Sequence, residues 1–218
     1  MSEVRRGEDT LLERAVAVKL LRDYGDPRSV ARFQQEAQIL ARLHHPNVIS
    51  VFDTGVDGGD RFIVMELVEG PTLRELLDTD GRLAPERAGE IASRLASALG
   101  FAHGKAVIHR DVKPSNVLLP PDGGVKLADM GIARLLSPEA LTATLSVRGT
   151  ALYISPEQVR GDRVDHRADL YSLGCVLFEM LTGRTPFEGD LAALSYAHTH
   201  TPAPRVRSIN PAVPVAMD

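Results

Sequence analysis

The sequence predicts an α+β protein, with strands crowded into its first third and helices filling most of the rest. Three observations carry this. Arg14 to Leu21 alternates, with Val16, Val18 and Leu20 on one face and Ala15, Ala17 and Lys19 on the other, which is the period of a strand. Arg61 to Val68 is a second apolar strand, running into Glu69-Gly70-Pro71. Beyond Pro85 the spacing turns helical: Ala88, Ile91, Leu95, Ala98, Leu99 and Ala102 share a face, and Gly104 ends the run. A later segment, Asp169 to Leu181, is apolar almost all round, as in a helix buried in a core or a membrane. Asp169 and Glu179 bracket a stretch too short to span a bilayer, which favours a core.

Between the first two strands, residues from about Arg28 to Leu43 predict a helix whose apolar stripe holds Val30, Phe33, Ala37 and Leu40. Glu36 lies three residues after Phe33 and four before Leu40, on that same inward face. A carboxylate facing a core is costly unless paired, and Lys19 is the obvious counter-charge.

The most informative stretch is His109-Arg110-Asp111-Val112-Lys113-Pro114-Ser115-Asn116, followed by Asp129-Met130-Gly131. Val117-Leu118-Leu119 reads as a strand, Pro120-Pro121-Asp122-Gly123-Gly124 as a turn, and Val125-Lys126-Leu127-Ala128 as the returning strand. The hairpin brings Asn116 and Asp129 together at one end, two oxygen donors suited to a hard cation such as Mg²⁺. Asp111 sits just upstream, free to accept a proton. Together these residues read as a phosphoryl-transfer site.

The pattern resembles the protein-kinase signature of an HRD…N catalytic loop and a DFG-type segment. The resemblance runs from about Glu3 to the end of the chain. It implies a bilobal fold, with a small antiparallel-sheet lobe over residues 1–68 and a mostly helical lobe over 69–218. By that likeness Asp111 is the catalytic base, Asn116 and Asp129 bind metal, and Lys113 approaches the transferred phosphate. Val16-Ala17-Val18-Lys19 is similar to the V-A-I-K element, so Lys19 would reach the α- and β-phosphates and pair with Glu36. Val4, Ala17, Met65 and Leu118 would enclose the adenine, with Met65 as gatekeeper, while the backbones of Glu66 and Val68 bond its edge. Asp169 would brace the catalytic-loop backbone. Gly149-Thr150 resembles Ser/Thr rather than Tyr specificity, and Thr150 would hydrogen-bond Asp111 and Lys113. Thr142 and Thr144 would be activation-loop phosphorylation sites, ordered by Arg110 once modified. The Thr-x-Thr, Gly-Thr and Ser-Pro-Glu-Gln-x-Arg-Gly pattern is similar to bacterial receptor-type Ser/Thr kinases, especially those of actinobacteria. The implied cofactors are ATP and Mg²⁺ (or Mn²⁺). The implied partners are proteins presenting Ser or Thr, with a homodimer for trans-autophosphorylation.

The family pattern also has breaks. Met1-Ser2-Glu3-Val4 lines up with the end of the Gly-rich loop G-x-G-x-x-G-x-V, with Ser2 in place of its third glycine. The first two glycines, their strand, and the last helices of the large lobe are therefore expected to be missing from these residues. A partner for Glu157 goes with those helices, leaving apolar surface uncovered. Met130 replaces the DFG phenylalanine as a flexible filler, and Ser155 stands where the A-P-E segment has alanine. Two readings stay open at this point: a Ser/Thr kinase domain truncated at both ends, and a non-catalytic kinase-like module that binds partners or nucleotide weakly.

Bulk properties narrow the field. A chain of 218 residues buries a substantial core. A net charge of −4, with Arg-rich spots (Arg5-Arg6, Arg205 and Arg207) too sparse for a phosphate track, argues against nucleic-acid binding. One cysteine, Cys175, excludes an internal disulfide and fits a reducing cytoplasm. No signal peptide or membrane segment is visible. His44, His45, His198 and His200 lack a converging ligand set and are expected at the surface.

Overall fold

The computed structural model describes residues 2–21, 40–57, 60–130 and 148–218. Four strands form one antiparallel sheet: β1 (Ser2–Asp9), β2 (Arg14–Leu21), β3 (Val51–Asp57) and β4 (Asp60–Glu66), in the order β1-β2-β4-β3. The predicted first strand is β2, with the predicted limits. Ala17 pairs with Met65 and Lys19 with Ile63, and across the other edge Val4 pairs with Lys19. Cross-strand partners share a face, so Val4, Ala17, Lys19 and Met65 look the same way.

The second predicted strand stops at Glu66 and does not reach Val68. The chain leaves the sheet there to meet the later hairpin, where Leu119 N donates to Pro71 O (2.9 Å). Gly70 makes this approach possible: it has φ 129°, and a Cβ there would lie 2.3 Å from the Leu119 carbonyl oxygen.

Helices and one small hairpin make up the remainder. Helix α1 (Leu73–Asp80) starts with a reciprocal Thr72–Glu75 capping box. Helix α2 (Pro85–His103) follows, then β5 (Val117–Leu118) and β6 (Lys126–Leu127), paired antiparallel. Next come the short α3 (Arg148–Ala151) and α4 (Pro156–Arg160), α5 (Arg167–Thr182), α6 (Leu191–His200) and α7 (Val206–Ile209). The core joins α2 to α5: Ile91, Leu95, Leu99, Val176 and Met180 are all buried in one cluster. Asn47–Ile49 runs beside β6, with Leu127 N donating to Asn47 O (2.9 Å) and Ile49 N to Leu127 O (3.0 Å). This ties the approach to β3 to the hairpin that carries Asn116 and Asp129. Among the described residues no helix is long and apolar enough to cross a membrane.

His198 is buried, contrary to the surface position predicted for it, because it shares with Leu194 the inward face of α6. Its polar ring gave no apolar signal. The helix expected from about Arg28 lies outside the described residues up to Leu40, and so do Glu36, Gly131, Thr142 and Thr144.

Candidate active site

The site is built outward from Asp169, in the first turn of α5. Its carboxylate is fully buried and accepts three hydrogen bonds. Oδ2 takes His109 N (2.8 Å) and His103 Nε2 (2.7 Å), and Oδ1 takes Arg110 N (2.7 Å). Burial alone would push this carboxyl up. The bond from His103, the His109 ring and the amides of Arg110 and His109 prevail and hold it below the ordinary carboxylate value. The anchor stabilises an unfavourable backbone. Arg110 sits at φ 68° and Asp129 at φ 59°, left-handed conformations that cost non-glycine residues roughly 1–3 kcal/mol.

His109 ties the two ends of the site together. The Asp111 amide donates to its Nδ1 (3.2 Å), and its Nε2 faces the Ala128 carbonyl (2.8 Å). An amide only donates and a carbonyl only accepts, so the ring carries its proton on Nε2. From the other side Ala128 N donates to Asn116 O (2.8 Å). Asp129 is thereby held one residue from a backbone bond to Asn116.

Around this frame the polar side chains converge. Asn116 Nδ2 donates to Asp111 O (2.8 Å) and to Asp111 Oδ2 (3.2 Å), leaving its amide oxygen as an acceptor. Lys113 Nζ bridges Asp111 Oδ2 (2.7 Å) and Thr150 Oγ1 (2.9 Å). The predicted bond between Thr150 and Asp111 is thus made through Lys113. Lys19 reaches in from β2, its Nζ 2.5 Å from Asp129 Oδ2 across 110 residues of sequence. The donors left for a cation are the Asp129 carboxylate and the Asn116 amide oxygen. Among the described residues no group of three or more His, Cys, Asp or Glu assembles a protein cage. So sparse a set fits a hard divalent cation that keeps several waters and takes its other ligands from phosphates.

Beside the charged groups lies an apolar shelf. Ala17, Ile49 and Met65 form a buried cluster against which Leu67, Val68, Leu118 and Ala128 pack. Val4 faces the same side but is exposed. The Glu66 side chain is engaged with Lys126 (2.7 Å), and its amide donates to Ser50 O (2.9 Å). Met130 lines a small apolar cavity behind the shelf, together with Leu40, Leu43, Ile63 and Leu127.

Residues 1–214 match the family model for the protein kinase domain. This chain belongs to the protein kinase family. The serine/threonine-protein kinase PknB of Mycolicibacterium smegmatis is 50% identical over 207 residues, covering 91% of this chain and 33% of that protein. PknB of Mycobacterium tuberculosis is 49% identical over 208 residues, 92% of this chain and 33% of its own. PrkC of Bacillus subtilis is 42% identical over 221 residues, 100% of this chain and 34% of its own. The chain therefore spans about a third of the length of these kinases.

Sequence reasoning missed several groups that hold the kinase site. Gln158 of α4 donates from Nε2 to Arg110 O (2.9 Å), while its Oε1 completes a capping box with Ser155. The S-x-x-Q spacing was a usable signal for that box. Glu179 of α5, nearly buried, accepts from Arg74 Nη1 (2.6 Å) and from Tyr153 Oη (2.5 Å). Burial, reinforced by the Glu179 charge, pushes the Tyr153 phenol far up, so it remains a donor. No local pattern announces a triad drawn from three elements.

Proposed function

We propose that this kinase domain transfers the γ-phosphoryl group of ATP to Ser or Thr hydroxyls of proteins. The observation that carries the reading is the convergence of Asp111, Lys113, Asn116 and Thr150 in one hydrogen-bonded group beside the Lys19–Asp129 pair. Asp111 accepts the proton of the acceptor hydroxyl as its oxygen bonds to the γ-phosphorus. The bond to the β-phosphate bridging oxygen breaks, and ADP leaves. Lys113, already within reach of both Asp111 and Thr150, neutralises charge on the transferred group, and Thr150 helps fix where that ammonium points. Lys19 positions the α- and β-phosphates. Glu36, outside the described residues, is proposed as its second carboxylate partner. Ala17, Met65 and Leu118 provide apolar contact for the adenine, Val4 covers it, and the backbones of Glu66 and Val68 bond its edge. Mg²⁺ (or Mn²⁺), held by Asn116 and Asp129, would supply charge neutralisation at the phosphates.

The relatives bear the name serine/threonine-protein kinase, which supports Ser and Thr as the acceptors here. By the family likeness, Thr142 and Thr144 are the autophosphorylated residues and a transient homodimer presents them in trans. The domain boundary is placed near residue 68 and the working location in the cytoplasm, where ATP is supplied. The test is incorporation of labelled phosphate into a general protein acceptor with Mg-ATP. Asp111→Asn should lower the rate about 10²- to 10⁴-fold, the usual cost of losing a positioned base. Unchanged incorporation in that variant would refute the assignment.

A further inference from the structure

His198 is a buried histidine that the mechanism above does not use. It is 4% exposed and sits on the inward face of α6. Its Nδ1 lies 2.8 Å from Tyr171 Oη on α5, and its ring meets Tyr171 and Phe187 edge-on, at centroid distances of 5.7 and 5.0 Å. Its other nitrogen, Nε2, is buried without a hydrogen-bond partner. The face of α6 that carries it packs on Ala151 and Leu152: Leu194 is buried in one cluster with Ala151, and Leu152 and Ala197 pack against that cluster. Burial holds the imidazole below its ordinary value, opposed in part by the main-chain groups of Ala151 and Leu152.

An imidazole nitrogen left bare in a core loses the hydrogen bonds it had in water, and such groups call for an explanation. A phenylalanine would serve the ring contacts without that cost. The surroundings supply a reason. With the Tyr171 hydroxyl donating to Nδ1, the proton rests on Nε2, within the part of α6 that packs against Ala151 and Leu152. Those two residues follow Thr150 directly, and Thr150 accepts from Lys113 beside Asp111. This stretch is therefore joined through Thr150 and Lys113 to the carboxylate that would receive the acceptor proton.

We propose that His198 is a positioning residue for the phosphoacceptor: its Nε2–H closes onto the Ala151–Leu152 backbone when an acceptor protein occupies the site. The ring thus carries the placement of α5 and α6 into residues 149–153. The inference rests on the kinase reading above. It predicts an effect on the acceptor and not on ATP.

The test compares His198→Phe, His198→Asn and His198→Gln in the full chain, with myelin basic protein as acceptor and Mg-ATP as donor. Asn keeps a polar atom near the Nδ1 position and Gln one near Nε2. One lost hydrogen bond predicts that Phe and Asn raise KM for the acceptor about fivefold. KM for ATP should stay within about twofold, and Gln should return the acceptor KM to within about twofold of wild type. Hydrogen–deuterium exchange of the amides at 149–153, measured with the acceptor bound, should quicken in Phe and Asn and recover in Gln. If Phe fails to fold, the Asn–Gln pair decides. Equal shifts in both KM values, a rescue by Asn and not Gln, or unaltered exchange would each overturn the proposal. Should the wild type transfer no phosphate, the kinase reading fails. The exchange measurement on the acceptor-mixed chain then still decides for or against His198.

Discussion

The catalytic loop and the β1–β2 hairpin face each other across the site, and they are held by opposite means. The loop hangs from groups buried in the helical core: Asp169 and His109 are fully buried, Asn116 nearly so, and each carries at least two hydrogen bonds. The hairpin's outer strand, β1, is held by its ladder to β2 and by a charged contact at the surface, Arg6 with Glu69, which water and salt screen. At its turn Leu11 is 88% and Leu12 61% exposed. The contrast shows how a polar loop is kept in place without being buried. The anchors go inside, and the groups proposed to act in transfer, Asp111 and Lys113, stay partly open.

The largest expected effect follows from removing the deepest anchor. Asp169→Ala strands the amides of His109 and Arg110 and the His103 ring in a core, and breaking a buried charged network of this kind costs about 3–5 kcal/mol. Urea midpoints should drop accordingly and phosphate incorporation should fall to background. The same carboxylate makes stability sensitive to acid. Its folded pKa is depressed, so the unfolded chain binds the proton more readily. The contribution is present in full above the unfolded value of about 4 and is lost as pH falls through the folded value. Wild type should therefore lose stability more steeply than Asp169→Asn below about pH 4. Parallel acid limbs in the two proteins would show that Asp169 is not the anchor described.

What the sequence revealed follows the same division. Helix α2 and strand β2 were legible through one clean period each, the β5–β6 hairpin through its turn, and α5 through a run that is apolar almost all round. Strand β3 was not: its side chains are mostly half-exposed or exposed, without alternation, and Gly55 interrupts it beneath the Phe62 ring. Helix α1 carries one usable sequence signal, the capping-box spacing Thr72-x-x-Glu75. Within the site, Asp111, Lys113 and Asn116 belong to one short loop, so spacing alone brought them together. The Lys19–Asp129 contact and the reach of Gln158 to Arg110 depend on how separate elements pack, which local pattern does not encode.

A smaller effect separates the anchor from its outer support. Gln158→Ala removes one neutral hydrogen bond to the Arg110 carbonyl and half of a capping box, a loss of about 1 kcal/mol. Arg110 precedes Asp111, so this change should lower kcat several-fold while KM for ATP holds. Gln158→Glu keeps an acceptor for the cap but loses the donor to Arg110 O. If Gln158→Glu matches wild type in kcat, then the cap and not the bond to the loop is what Gln158 provides.

The least effect is expected at the hairpin turn. Asp9 Oδ1 accepts from the amides of Leu11 and Leu12, so the turn's backbone is held by a side chain outside the leucines themselves. Replacing both leucines with serine removes apolar surface that is already in water, and surface changes of this kind stay within about 0.5 kcal/mol. Thermal midpoint and KM for ATP should both match wild type in Leu11→Ser/Leu12→Ser. A clear fall in either would mean that the turn docks against the rest of the domain when nucleotide binds. The hairpin would then be held from within as the catalytic loop is, and the contrast between the two regions would not survive in the working enzyme.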